Sequence, residues 1–299
     1  MMANDQAGAS AAAVPARRGF WSWGLLRLVI LFIVLLALYA GGQILTFAAA
    51  DKLPQFPKWQ VMLAGALVAS LIMIVAYRLL IRWTEKRAAD EIGAGHAVSL
   101  AANGIVVGFV LFAGVYAILW LTGAVTFNGI NAASDMLPVL ALSIVSAVGE
   151  EIVFRGVVYR ILENSFGTLV ALVISGAIFG LIHGFNPGAT IFSTLAIALE
   201  AGILLGAAYT LTGSLWFPIG LHFAWNFTEG GIFGAAISGG HFKGLINAQI
   251  AGSDLLTGGK FGPEASIPAL ALCLAAALLM LFVCVSRKLG TPLSFRLRA

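Results

Sequence analysis

The run Val148-Gly149-Glu150-Glu151-Ile152-Val153-Phe154-Arg155-Gly156 sets two carboxylates and a guanidinium inside an apolar stretch, 136–162, that otherwise reads as a membrane span. A charge at the bilayer centre costs about 3 kcal/mol on insertion scales. Three in one helix therefore require partners, and the search for those partners organises the rest of the sequence. Glu151 and Arg155 are four residues apart, one helical turn, and opposite in sign, so each can neutralise the other. Glu150 has no such partner on its own helix. A lone buried carboxylate must find donors on other helices or give up its charge.

The surroundings are those of a polytopic membrane protein. The 299 residues are 60% hydrophobic and 10% charged, where a soluble domain carries roughly a quarter charged residues; the mean hydropathy is +0.98. Eight apolar segments stand out, at 23–48, 59–82, 99–125, 136–162, 166–184, 188–211, 214–230 and 265–286. Each approaches the roughly 20 residues a helix needs to cross the hydrocarbon, and all are too long for barrel strands. The expected fold class is all-α, with about eight transmembrane helices packed around a polar intramembrane cavity. The segment 214–230 is the shortest and contains Pro218. The Gly-rich stretch 231–264, with Lys243, Asp254, Lys260 and Glu264, reads as a long flexible loop.

This divides the chain into a disordered tail (1–20), N-terminal membrane helices (21–136), a polar-bearing core (137–230), the Gly-rich loop (231–264), and a last helix with a basic tail (265–299). The Arg17-Arg18 pair followed by Phe47-Ala48-Ala49-Ala50-Asp51 resembles an export signal with its cleavage site. The intervening apolar run of about 25 residues exceeds the 7–15 of a signal sequence, so an uncleaved first span is expected.

The net charge of +4 does not point to nucleic acid, because the basic residues flank spans. With the N-terminus inside, Arg17, Arg18, Arg27, Arg78, Arg82, Lys86, Arg87, Arg155, Arg160, Arg287, Lys288, Arg296 and Arg298 fall on the cytoplasmic side. Only Lys52, Lys58, Lys243 and Lys260 fall opposite. The bias predicts a multi-pass protein with both termini cytoplasmic. Cys273 and Cys284 lie about 16 Å apart along one helix, too far for a mutual disulfide, and read as packing residues. Gly176, Gly180 and Gly184 share one helix face, as do Gly202 and Gly206, a spacing that lets helices approach closely.

Polar side chains at membrane depth concentrate between 150 and 226. Beyond the quoted run, His183 follows Phe179 by one turn, and His222 and Asn226 share a face of the seventh segment. Counting residues from the membrane surface places Glu150 near mid-depth and His183 nearer the far side. Glu200 on the sixth segment has three roles open to it: lining the cavity, pairing with an arginine, or reaching the interface. His96 and His241 lie in polar loops and are expected to be solvated. A carboxylate beside an imidazole can hold a water and take its proton; a second imidazole and an amide can donate to an oxyanion. The set Glu150, His183 and His222 also suits zinc with an open position. No H-E-x-x-H, G-x-S-x-G, P-loop or dinucleotide fingerprint occurs.

The three motifs Glu150-Glu151-x-x-x-Arg155, Phe179-x-x-x-His183 and His222-x-x-x-Asn226, in that order and within about 80 residues, resemble the CAAX-protease and bacteriocin-processing family (CPBP, formerly Abi). That family includes the type II CAAX prenyl endopeptidases. The resemblance covers roughly 137–230. It implies an intramembrane endopeptidase in which Glu150 and His183 activate water, His222 and Asn226 stabilise the oxyanion, and Glu151, Arg155 and Phe179 support the geometry. It implies a glutamate-type, metal-free reaction without a cofactor, zinc on Glu150, His183 and His222 being the alternative. The implied partners are the lipid bilayer and a peptide or lipidated protein substrate, with no nucleic acid. Two other classes stay open: a non-catalytic immunity or scaffold protein, and a proton-coupled transporter using the same buried groups.

Overall fold

The computed structural model describes residues 24–292. The expected disordered tail, Arg17-Arg18, Arg296 and Arg298 lie outside the described residues. Helices α1 (Gly24–Lys52), α2 (Lys58–Glu85) and α3 (Ala97–Leu121) come first, followed by a strand β1 (Val125–Ile130). The quoted run lies in the next rod, made of α4 (Leu137–Glu151), a π-helical stretch Ile152–Tyr159, and α5 (Arg160–Phe166). Helix α6 (Thr168–His183) returns beside it. Then α7 (Ile191–Ile197), a π-helical stretch Ala198–Gly202 and α8 (Ile203–Thr212) form one rod. Helix α9 (Trp216–Asn226) runs on into a third π-helical stretch, Phe227–Ile232. Strand β2 (Ile246–Ile250), the short α10 (Asp254–Thr257) and α11 (Ile267–Ser286) complete the described chain.

Apolar helical rods stand in all eight expected places, and the protein is an all-α membrane protein. Six of the rods are long and apolar enough to cross a bilayer. The fifth (α6) has only 16 residues, and the seventh has 11 in α9 and 6 in the π-helical stretch that continues it. The rod containing the quoted run is the central one: 67% of its apolar window is buried within the protein, against 11% for α1. Its charges are therefore shielded by protein and do not face lipid.

Two expectations change. The Gly-rich stretch 231–264 is not without regular structure, because β2 pairs antiparallel with β1, with an irregularity between Phe127 and Gly129. Ala235, Ile237, Phe261 and Glu264 in that stretch are buried. The pairing joins segments more than a hundred residues apart, and periodicity within either one carries no sign of it. Arg155 and Arg160 also leave the set of topology-setting charges. Arg155 is fully buried, and Arg160 donates through both terminal nitrogens to Glu85 at 2.8 and 2.6 Å.

Glycine sets the closest packing. The face of α6 anticipated from Gly176 and Gly180 meets the rod of α7 and α8. A Cβ on Gly202 would lie 2.6 Å from the Gly176 Cα, and one on Gly180 would lie 2.5 Å from the Thr194 carbonyl oxygen. A second crossing, of α3 on α9, is tighter still: a Cβ on Gly104 would stand 2.1 Å from the Phe217 carbonyl oxygen. We expect Gly104→Ala to destabilise the protein by about 3 kcal/mol or more, because the obstacle is backbone. Gly41→Ala, with nothing within 4 Å of the new methyl, is expected to cost nothing. Thermal unfolding in detergent compares the two.

At one end of the bundle a network of ions holds the turn after α2. Arg87 donates to both oxygens of Glu91 at 2.8 Å and to Glu85 at 2.7 Å, and the Tyr77 hydroxyl also donates to Glu91. Burial opposes ionisation of Glu91, but the hydrogen bonds from Arg87 and Tyr77 and the charge of Arg160 outweigh it. The carboxyl is held below its usual value of 4.5. A depressed carboxyl contributes stability that is complete above the unfolded value and is lost as pH falls through the lower folded one. The melting temperature is therefore expected to hold from pH 7 to pH 5 and to fall below about pH 4.5, with a shallower fall in Glu91→Gln.

Candidate active site

Both glycines of the quoted run admit tyrosines. The ring of Tyr39 from α1 lies where a Cβ on Gly149 would be, 2.2 Å from its Cδ2, and Tyr77 lies 3.1 Å from the corresponding point on Gly156. Tyr39 reaches the carboxylate that lacked a partner on its own helix. Its hydroxyl donates to Glu150 Oε1 at 2.7 Å, and Gln43, one turn along α1, donates to the Tyr39 oxygen and to Ser146 Oγ. These residues are absent from the three motifs. The signal that marks them is a polar pair, Tyr39 and Gln43, four apart on one face of an otherwise apolar helix.

The other oxygen of Glu150 faces the imidazoles. Oε2 lies 3.8 Å from His183 Nε2 and 3.9 Å from His222 Nε2, and it has no hydrogen-bond partner within the protein. His183 therefore stands level with Glu150, not displaced toward the far side. The turn at Gly167, with φ 92°, explains why. Glu150 lies seventeen residues before Gly167 and His183 sixteen after it. At 1.5 Å per residue, two antiparallel helices bring both to about 25 Å from the turn.

The orientation of each ring is set by its second nitrogen. His183 Nδ1 lies 2.9 Å from the Phe179 carbonyl oxygen. A carbonyl only accepts, so Nδ1 carries the proton, and in the neutral ring Nε2 presents a lone pair toward Glu150. His222 Nδ1 lies 2.9 Å from Glu151 Oε1 and donates to it. The Nε2 of His222 then faces Glu150, an arrangement that a doubly protonated ring satisfies with one donor on each side. Asn226, one turn on and buried, lines the same cavity.

Glu151 does more than neutralise Arg155. The pair is present at 3.0 Å with both side chains fully buried, but the same Oε1 also receives His222. Arg155 extends the chain by donating to the Ala201 carbonyl at 2.8 Å, within the π-helical stretch of the sixth rod, where the ordinary helical ladder is interrupted. Phe179 lies between Arg155 and His183: the Arg155 guanidinium sits 4.7 Å above its ring centroid, and the His183 ring is 4.4 Å from it. Glu151 thus holds the His222 ring and the Phe179 carbonyl holds the His183 ring.

The cavity has a volume of about 400 Å³. Glu150, His183, His222 and Asn226 line it, and so do Glu200, Glu264, Ser238 and Cys273. Of the three roles open to Glu200, the structure shows cavity lining. Cys273 likewise borders the cavity, while Cys284 is buried elsewhere. His96 and His241 are exposed and outside the site. A zinc ion needs its ligand atoms about 2 Å from one point. Among the described residues no group of three or more His, Cys, Asp or Glu side chains is arranged to hold a metal ion.

Residues 132–228 match the family model described as type II CAAX prenyl endopeptidase Rce1-like. This is the family the three motifs resemble, and the matched stretch contains all seven motif residues while leaving out Tyr39, Gln43 and Glu264. The match covers about a third of the chain and supports a CAAX-type intramembrane protease at the level of the family. No curated protein matches the chain.

The shared oxygen of Glu151 yields a test that needs no substrate. Glu151→Gln leaves Arg155 and His222 without their anion, and breaking a buried pair on one side costs about 3–5 kcal/mol. Glu150→Gln keeps an acceptor for Tyr39 and removes a charge that has no cationic partner at hydrogen-bond distance. We expect a large drop in melting temperature for Glu151→Gln and a small change for Glu150→Gln.

Proposed function

We propose that the protein is an intramembrane endopeptidase that hydrolyses a peptide bond of a membrane-proximal substrate by attack of a water held between Glu150 and His183. The observation that carries this reading is the 3.8 Å separation of Glu150 Oε2 and His183 Nε2, with His183 Nδ1 tied to a carbonyl. Both facing atoms are acceptors when the ring is neutral. One water satisfies both by donating a hydrogen to each, which leaves its oxygen lone pair directed into the cavity.

The steps follow from that arrangement. Glu150 takes a proton from the water as its oxygen bonds to the carbonyl carbon. The carbonyl π electrons move to the oxygen, which His222 Nε2–H and the Asn226 amide stabilise as an oxyanion. Collapse of the tetrahedral adduct breaks the C–N bond, and the proton held by Glu150 passes to the leaving amine. Tyr39 holds Glu150 by its other oxygen throughout, and Glu151 holds His222. The reading needs no metal, and zinc on Glu150, His183 and His222 is the alternative that the chelator experiment separates. The bilayer and a peptide or lipidated protein are the partners, and the basic flanks of the spans favour both termini in the cytoplasm.

We expect purified protein in liposomes to cleave membrane-anchored peptides, with Glu150→Gln and His183→Ala each reducing kcat/KM by about 10²–10⁴. Activity is expected to persist in strong chelator. Cleavage at the wild-type rate by both variants contradicts the roles given to Glu150 and His183, and no cleavage by wild type points to the non-catalytic scaffold reading. Activity lost to chelator and restored by zinc contradicts the metal-free route.

A further inference from the structure

The proposed mechanism leaves Glu200, Glu264 and Ser238, which line the same cavity, unused. Glu200 lies in the π-helical stretch Ala198–Gly202, is 1% exposed, and lines the cavity. Its Oε2 has no hydrogen-bond partner. Glu264, in the turn Pro263–Ala265 that leads into α11, lines the same cavity. Its Oε1 accepts from the Ser238 backbone N–H at 2.5 Å and the Ser238 hydroxyl at 2.8 Å. Glu229 stands behind, fully buried. Its Oε1 accepts from the Glu264 backbone N–H at 3.2 Å, and its Oε2 has no partner.

These acids act on one another and on the site: Glu264 interacts electrostatically with Glu200, Glu229, His183 and His222. Among the described residues no lysine or arginine forms an ion pair with any of the three. Two of them have structural work, since Glu264 fastens the Ser238 loop and Glu229 caps the turn of Glu264. Glu200 fastens nothing. A buried carboxylate without donors is costly, and as part of the cavity lining it is an acceptor for a donor group that enters. The arrangement does not suit a metal ion. It suits an organic cation, whose N–H groups make charge-assisted hydrogen bonds. Ile197, Leu204 and Leu205 line the cavity as well and match the aliphatic stem that lysine and arginine carry behind their charge.

We propose that Glu200 and Glu264, backed by Glu229, form a subsite for a basic side chain of the substrate peptide, close to the bond that is cut. The substrate class is then a membrane-proximal peptide with a lysine or arginine near the scissile bond. This rests on the hydrolytic reading of Glu150 and His183, and the test separates the two. Membrane-anchored peptides are prepared in pairs that differ only by lysine or norleucine at one position, scanned along the sequence. Binding is measured by fluorescence anisotropy to full-length Glu150→Gln protein and to the Glu150→Gln, Glu200→Gln double variant. Cleavage by wild type and by Glu200→Gln is followed by mass spectrometry.

At one position the lysine peptide is expected to bind Glu150→Gln about tenfold more tightly than its norleucine twin, with the ratio falling to about one in the double variant. The ratio of cleavage rates is expected to behave in the same way. Both comparisons are internal to one protein, so a general loss of activity or folded protein does not imitate the result. Selective binding without any cleavage by wild type sinks the hydrolytic reading and leaves the subsite standing. Absence of lysine preference at every position overturns the subsite, even where wild type cleaves. So does a preference that survives both Glu200→Gln and Glu264→Gln.

Discussion

One carboxylate oxygen holds the site together. Glu151 Oε1 accepts from Arg155 at 3.0 Å and from His222 at 2.9 Å, joining the central rod to α9. Arg155 then donates to a carbonyl of the sixth rod and covers the Phe179 ring of α6. Four helices are positioned by a single buried ion pair and its two neighbours. In a low-dielectric interior such a chain is strong when complete and damaging when one member is lost. This explains how a bundle of otherwise apolar helices, which lipid tails would solvate equally well, holds a fixed polar geometry.

Glu150 depends on that frame for a different purpose. It makes one hydrogen bond, from Tyr39, and its second oxygen is directed between two imidazoles. The contrast between adjacent residues follows from the helix. A rotation of about 100° per residue turns Glu151 toward α9 and the sixth rod while Glu150 faces the cavity and α1. The interruption of regular α-geometry from Ile152 onward lies immediately after both, in keeping with the frequent placement of π-helical turns at functional sites.

Much of the arrangement was legible in the sequence because it is written in local spacing. The apolar runs gave the rods, the four-residue steps gave Glu151–Arg155, Phe179–His183 and His222–Asn226, and the glycine steps gave one face of close packing. The level meeting of Glu150 and His183 was also legible in principle, as equal distances from Gly167. What depended on contacts between distant segments was not. Tyr39 meets Glu150 across 111 positions, the two strands pair across a similar interval, and Glu264 reaches the cavity from a stretch that reads as loop.

The account turns on Glu150 delivering a water and not attacking the peptide itself. Repeated turnover in water enriched in oxygen-18, followed by mass analysis of the product and of the enzyme, separates the two chemistries directly. A water-delivering Glu150 predicts one heavy oxygen in the new carboxyl terminus of the product and none in the Glu150 side chain. Heavy oxygen accumulating in the Glu150 carboxylate marks an acyl-enzyme formed on that residue and contradicts the account.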